Sequence, residues 1–347
     1  MSTYELENDF NNQMNLKNNR LMSAAIAGQR QQQQRKKQST PAPVTPINLD
    51  SKERVQEFLD KFDFILSDCD GVLWVNNGAV KGAAKAINNL RSRGKRVCFA
   101  TNNSTKTRYE FHDKLLKLGF EADLDELFPT SYSTAVYLKS IGFERKVFIV
   151  GQSGIAGELA EMGIESMGVG PDFTPRHWTP GMAEVDIDPD VGAVVVGFDN
   201  QISFPKLTKA CTYVKDPGCL FIASNADESF PHPDPRVAVP GPGAYVAAIQ
   251  AVTGREPIPL GKPYQYFFNI IRLQHPEIDP KRTIMIGDRL TTDMVFGRNN
   301  GLKTLFVQSG IGTYDDMVNF RNSPDPEDHK CVPDYYLNSL DDLNKYL

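Results

Sequence analysis

No stretch of this sequence approaches the roughly 20 consecutive apolar residues that a membrane-spanning helix requires. Charge of one sign is also scarce: the net charge is only −5 at pH 7, which gives no general electrostatic reason to expect a nucleic acid or a membrane surface as partner. Cysteine is sparse and odd in number, with Cys69, Cys98, Cys211, Cys219 and Cys331 at no paired zinc spacing. The opening MSTYELEND is acidic and polar, unlike a secretory signal or a transit peptide. Together these point to reduced thiols in a cytoplasmic protein, each cysteine a small core residue. The five histidines show no ligand spacing, which disfavours a zinc enzyme. The lysine of LGKP is followed by Pro263 where a P-loop needs Ser or Thr, and GQSGI lacks the second glycine of a nucleophile elbow.

What is present is an ordinary globular composition, 40% hydrophobic and 23% charged over 347 residues, enough for two domains or one large domain with an insert. Residues 1–50 stand apart, rich in Gln and Asn and containing GQRQQQQRKKQSTPAPVTP, and are expected to be a disordered tail. From Val55 onward, short apolar runs alternate with amphipathic ones. FDFILS (62–67), RVCFAT (96–101), KVFIVG (146–151), TIMIGD (283–288) and KTLFVQ (303–308) read as parallel strands covered on both faces. GAAKAINNLRSRG and STKTRYEFHDKLLKLG, lying after the first two runs, carry helical spacing and glycine stops. The pattern predicts a doubly wound α/β parallel sheet. Roughly ninety residues with two further apolar runs then separate the third strand from the later ones, too many for one crossover. The expected division is a core at 55–151 and 246–347 and an inserted α/β domain at 152–245.

In an open α/β sheet the ligand lies beyond the carboxyl ends of the strands. Those ends carry Asp68 and Asp70, then Thr101, Asn102 and Asn103, then Asp288 with Asp293 five residues on, and Lys262 stands ahead of the TIMIGD strand. A cluster of ionised carboxylates repels itself unless a cation is bound, and hard oxygen donors suit Mg²⁺. A lysine with amide and hydroxyl groups suits a tetrahedral dianion. One carboxylate near such a phosphate can attack phosphorus, and a second can protonate the leaving oxygen and then activate water.

The ordered motifs DCDGVLW, ATNNS, GKP and GDRLTTD resemble those of the haloacid dehalogenase (HAD) superfamily phosphatases. The strings DGVLW, TNNSTKTR and GDRLTTDMVFG resemble in particular the phosphoglycolate phosphatase, pyridoxal phosphatase and 4-nitrophenylphosphatase group. The resemblance covers about Val55 to Leu347. It implies a Rossmann-like core with an inserted cap, Asp68 as nucleophile and metal ligand, and Asp70 as general acid/base lending its backbone carbonyl to Mg²⁺. Asp288 would complete the metal shell, and Asp293 would orient Lys262 or loop amides from behind. Thr101, Asn102 and Asn103 would hold phosphoryl oxygens, with Lys262 neutralising their charge. His232, in DESFPHPDPRVAVPGPG, would face the leaving group, while Asn225 and Asp227 stand open between site and structural roles. The implied substrate is a small phosphorylated metabolite, phosphoglycolate first, with 4-nitrophenyl phosphate as surrogate. Pyridoxal phosphate, a phosphoprotein, or a catalytically silent scaffold are the alternatives. Members of the group often dimerise through the cap, which implies a homodimer.

Overall fold

A computed structural model of the protein describes residues 44–172, 185–230, 234 and 236–347. Of the disordered tail expected over residues 1–50, residues 1–43 lie outside the described residues, as does His232. The last part departs from the expectation: Ile47–Asn48 pairs with Tyr335–Leu337 and Leu49 is buried, because even this short apolar patch finds an open sheet edge to join.

Seven parallel strands form the first sheet, in the order Ile47–Asn48, Tyr335–Leu337, Lys303–Val307, Thr283–Gly287, Phe64–Ser67, Arg96–Thr101, Leu127–Pro129. From Phe64–Ser67 the chain builds outward to one side, and later returns to build outward to the other. The order therefore reverses at the carboxyl end of Phe64–Ser67, where an open sheet leaves a crevice. Alternation of side chains across each strand explains why the runs are almost wholly apolar. Ile65, Val97, Phe99 and Ile286 enter one core with Phe58, Ile87 and Phe111 of the helices Lys52–Lys61, Ala83–Ser92 and Arg108–Lys117. Phe64, Leu66, Cys98 and Met285 enter the opposite core with Phe267 and Ile271 of the helix Gln265–Gln274. The helices Ala83–Ser92 and Arg108–Lys117 both stop at a glycine, and the second also starts on a side-chain cap. Thr107 and Glu110 form a capping box, and Gly94 and Gly119 adopt positive φ just past the last turns.

A second sheet of five parallel strands runs in the order Ile258–Pro259, Leu220–Ala223, Val191–Val196, Lys146–Val150, Ser166–Met167. It too is covered on both faces. Val147, Ile149 and Val195 pack with Ile155 and Leu159 of the helix Ser153–Glu161. Phe148, Val194 and Phe221 pack with Ala210 and Val246 of the helices Phe204–Lys215 and Pro242–Thr253.

This corrects one expectation. Lys146–Val150, read from sequence as the third strand of the core sheet, pairs with Val191–Val196 and Ser166–Met167 in the second sheet. The strands of that sheet span residues 146 to 259, beyond the expected insert of 152–245 at both ends. The physical reason is that an apolar run buried on both faces reads the same in either parallel sheet, so burial alone does not say which one the strand joins. Among the described residues no helix is long and apolar enough to cross a membrane.

Candidate active site

Three adjacent strands of the first sheet end at one place. Phe64–Ser67 delivers Asp68, Arg96–Thr101 ends on Thr101, and Thr283–Gly287 delivers Asp288. Lys262 arrives differently, two residues beyond Leu260, whose N–H donates to Ala223 O of the second sheet at 2.9 Å. These residues line a cavity of about 580 Å³, joined there by Asp70, Asn102, Asn103, Asp227 and Arg289.

Carboxylate oxygens of Asp68, Asp288 and Asp293 lie within 4.8 Å of one another. The Lys262 ammonium sits among them, 2.8 Å from Asp68 Oδ1 and 2.8 Å from Asp293 Oδ1. All four side chains are buried. Asp293 is fully engaged, since its Oδ2 accepts from Arg289 N at 3.0 Å. Asp288 Oδ2 accepts from Ile311 N at 2.7 Å. Among the described residues nothing donates to Asp68 Oδ2 or Asp288 Oδ1.

The electrostatics follow from three acids sharing one ammonium. Burial pushes the Asp68 carboxyl well up, with Lys262 opposing and Asp293 and Asp288 reinforcing the shift. Burial also pushes Asp288 up to about 7, with the charge of Asp293 adding to it. Burial alone would lower Lys262, but the charges of Asp293 and Asp68 outweigh it and hold the ammonium above its ordinary range. The cluster is thus short of positive charge and offers hard oxygen donors. That donor set fits a divalent cation such as Mg²⁺ on Asp68 and Asp288, with the Asp70 carbonyl nearby in sequence.

Close approach is possible because glycine stands where a side chain would collide. Gly71 holds φ +84°, and a Cβ there would come within 2.3 Å of Asp288 Oδ2. The turn it permits places Asp70 at the rim, exposed. The Asp70 carboxylate accepts from Trp74 Nε1 at 2.8 Å and from Asn103 Nδ2 at 3.4 Å.

The side chain of Asn102, a residue expected to help hold phosphoryl oxygens, makes its hydrogen bonds within the protein. Its Nδ2 donates to Asp227 Oδ2 at 3.1 Å and to Lys262 O at 3.0 Å, and its Oδ1 accepts from Lys262 N at 2.8 Å. Both amide hydrogens are committed, which leaves that side chain no donor for a phosphate. Thr101 Oγ1 accepts from Asn103 N at 3.1 Å and keeps its own hydroxyl hydrogen to give.

Three participants were not singled out from sequence. Trp74 lies within the motif DCDGVLW, Arg289 lies inside GDRLTTD, and Ser309 follows the strand Lys303–Val307. Ser309 Oγ donates to Gly71 O at 2.7 Å, tying that strand end to the loop that follows Asp68. Position just past a core strand was the available signal for Ser309.

Comparison with known proteins decides the family. A model described as haloacid dehalogenase-like hydrolase matches residues 65–165, and a second model of HAD-like hydrolases matches residues 259–343. Glycerol-3-phosphate phosphatase of Homo sapiens is 40% identical over 301 residues, 84% of this chain and 93% of that protein. This chain belongs to the haloacid dehalogenase-like hydrolases. The 4-nitrophenylphosphatase of Schizosaccharomyces pombe is 36% identical, over 84% of this chain and 96% of its own length. Among solved structures, the p-nitrophenyl phosphatase from Archaeoglobus fulgidus superposes with TM-score 0.70 at 28% identity, covering 83% of this chain and all of the other. With relatives of this closeness named phosphatases, the hydrolase is a phosphoric monoester hydrolase.

Proposed function

We propose that this hydrolase is a Mg²⁺-dependent phosphatase of small phosphomonoesters that works through a phosphorylated Asp68. The observation that carries the reading is the buried group of Asp68, Asp288, Asp293 and Lys262 at the floor of one cavity, at the carboxyl ends of adjacent strands. Asp68 Oδ attacks phosphorus, and the bond from phosphorus to the ester oxygen breaks. Asp70, held at the rim by Trp74 and Asn103, gives its proton to the departing alkoxide. The same carboxylate then takes a proton from water as its oxygen attacks the phosphoryl group, which releases phosphate and restores Asp68. Thr101 and Asn103 donate to the phosphoryl oxygens, and Lys262 offsets their charge. Mg²⁺, held by Asp68, Asp288 and the Asp70 carbonyl, would supply the positive charge that lets an anionic nucleophile approach an anionic ester. Asp293 serves by anchoring Lys262, and Asp70 contributes no side-chain oxygen to the metal.

A cavity of about 580 Å³ suits a compact ester. We place glycerol 3-phosphate first, ahead of phosphoglycolate, with 4-nitrophenyl phosphate as surrogate, an order that the name of the 40% identical relative supports. The test is phosphate release from these three esters and pyridoxal 5′-phosphate, in MgCl₂ and then in EDTA, by wild type and Asp68→Asn. Mg²⁺-dependent turnover of at least one ester, lost in the variant, is expected. A metal-replete wild type inert to all four would overturn the activity, and an Asp68→Asn protein with full turnover would overturn the nucleophile.

A further inference from the structure

Lys262 is held from two directions. Its ammonium plugs into acids of the first sheet, while its backbone leaves the second sheet directly after Ile258–Pro259. Any displacement of the second sheet relative to the first would therefore carry the lysine with it, unless something fixes its backbone. Asn102 does so, closing a pair of hydrogen bonds on Lys262 N and O at 2.8 and 3.0 Å. Gly261 makes room for this contact, since a Cβ there would lie 2.7 Å from Asn102 Oδ1 and 2.7 Å from Ser224 O.

The remaining hydrogen of the Asn102 amide goes to Asp227, four residues past the end of the strand Leu220–Ala223 in the second sheet. Asp227 Oδ2 also accepts from Asn225 Nδ2 at 2.8 Å, and its Oδ1 pairs with Arg289 Nη1 at 3.0 Å. One carboxylate of the second sheet thus grips a loop beyond Arg96–Thr101 and a loop beyond Thr283–Gly287, the two strands flanking the nucleophile strand.

We propose that Asp227 is a positioning residue, which registers the second sheet against the catalytic cluster by orienting Asn102 and, through it, Lys262. The inference rests on the phosphatase reading of this cavity. It makes Asp227 a determinant of turnover for every substrate, with no part in choosing among substrates. A misplacement of about 1 Å at a reacting centre costs on the order of 10²-fold.

The experiment compares wild type, Asp227→Ala, Asn102→Ala and the double variant. Each single variant should lose about 10- to 100-fold in kcat towards both glycerol 3-phosphate and 4-nitrophenyl phosphate, with KM changed by less than about 3-fold. The double variant should be no worse than the poorer single one, because both break the same connection. Independent losses that multiply in the double variant, or a loss confined to one substrate or to KM, would overturn the proposal. A second measurement does not depend on turnover. Amide hydrogen exchange at residues 260–264 should quicken about 10-fold in Asp227→Ala while residues 283–287 keep their protection. Unchanged exchange at 260–264 would refute the positioning role even in a protein that hydrolyses nothing.

Discussion

Stripping divalent metal while raising the pH should weaken the fold in a way traceable to Asp288. Burial, reinforced by the charge of Asp293, lifts this carboxyl from 3.8 to about 7, against the pull of Ile311 N–H, Lys262 and Arg289. Between those values the metal-free folded protein keeps a proton that the unfolded chain has released. Stability drawn from Asp288 is then fully present below the unfolded pKa and is lost as the pH climbs through 7. A displacement of about three pH units, at roughly 1.4 kcal/mol each, is on the order of 4 kcal/mol. A bound cation needs the ionised carboxylate and removes the penalty of ionising it. Stabilisation by Mg²⁺ should therefore be slight at pH 5 and grow towards pH 8. At roughly 2–4 °C per kcal/mol, the gap in Tm between MgCl₂ and EDTA should open by up to about 10 °C. Calorimetry at four pH values between 5 and 8 measures that gap, with Asp288→Asn as the reference that cannot ionise. A gap that stays constant with pH in wild type, or one that widens equally in Asp288→Asn, would refute the reasoning.

Two further sites test the packing around and away from the cavity. Gly71→Ala places a methyl group 2.3 Å from Asp288 Oδ2 on a backbone at φ +84°. It should cost about 1–2 kcal/mol in urea unfolding and weaken Mg²⁺-dependent turnover at least about 10-fold, whereas wild-type metal dependence would contradict the close approach. In the second sheet's layer, Lys206 Nζ pairs with Asp199 Oδ2 at 2.6 Å, with both side chains almost completely buried, and also donates to Gly170 O at 2.6 Å. Lys206→Met should lose about 3–5 kcal/mol in urea unfolding because it strands a buried carboxylate, and adding Asp199→Leu should recover part of the loss. A double variant less stable than Lys206→Met would count against that account.

The convergence of the acids and the lysine on one cavity was legible from where they stand in the sequence. Asp68, Thr101 and Asp288 each follow an apolar run that folds as a central strand, and strand ends in an open sheet are where ligands bind. Harder to read were the outer strands of the first sheet. Ile47–Asn48, Leu127–Pro129 and Tyr335–Leu337 are two or three residues long, too short to set up a periodic signal. Harder still was the side-chain traffic of Asn102. An asparagine after a strand in a phosphate-binding motif offers two N–H donors, and sequence does not say whether they face a ligand or a neighbouring backbone. Only the return of the chain from Ile258–Pro259 brings Lys262 N and O against that amide.

That return also explains why the expected boundary of the insertion at residue 245 falls short. Helix Pro242–Thr253 packs Val246 and Ile249 into the second sheet's core, and the strand that follows it still pairs with Leu220–Ala223. The chain therefore belongs to the second sheet until two residues before Lys262. The next helix, Gln265–Gln274, then divides its side chains, with Tyr266 and Ile270 in one sheet's core and Phe267 and Ile271 in the other's. A lysine on a free surface loop would sample many rotamers, and ordering one costs up to about 2 kcal/mol. Here the strand before it and the helix after it are each fixed by packing. Between them lies the short stretch from Gly261 to Tyr264, and the backbone clamp of Asn102 acts on that stretch.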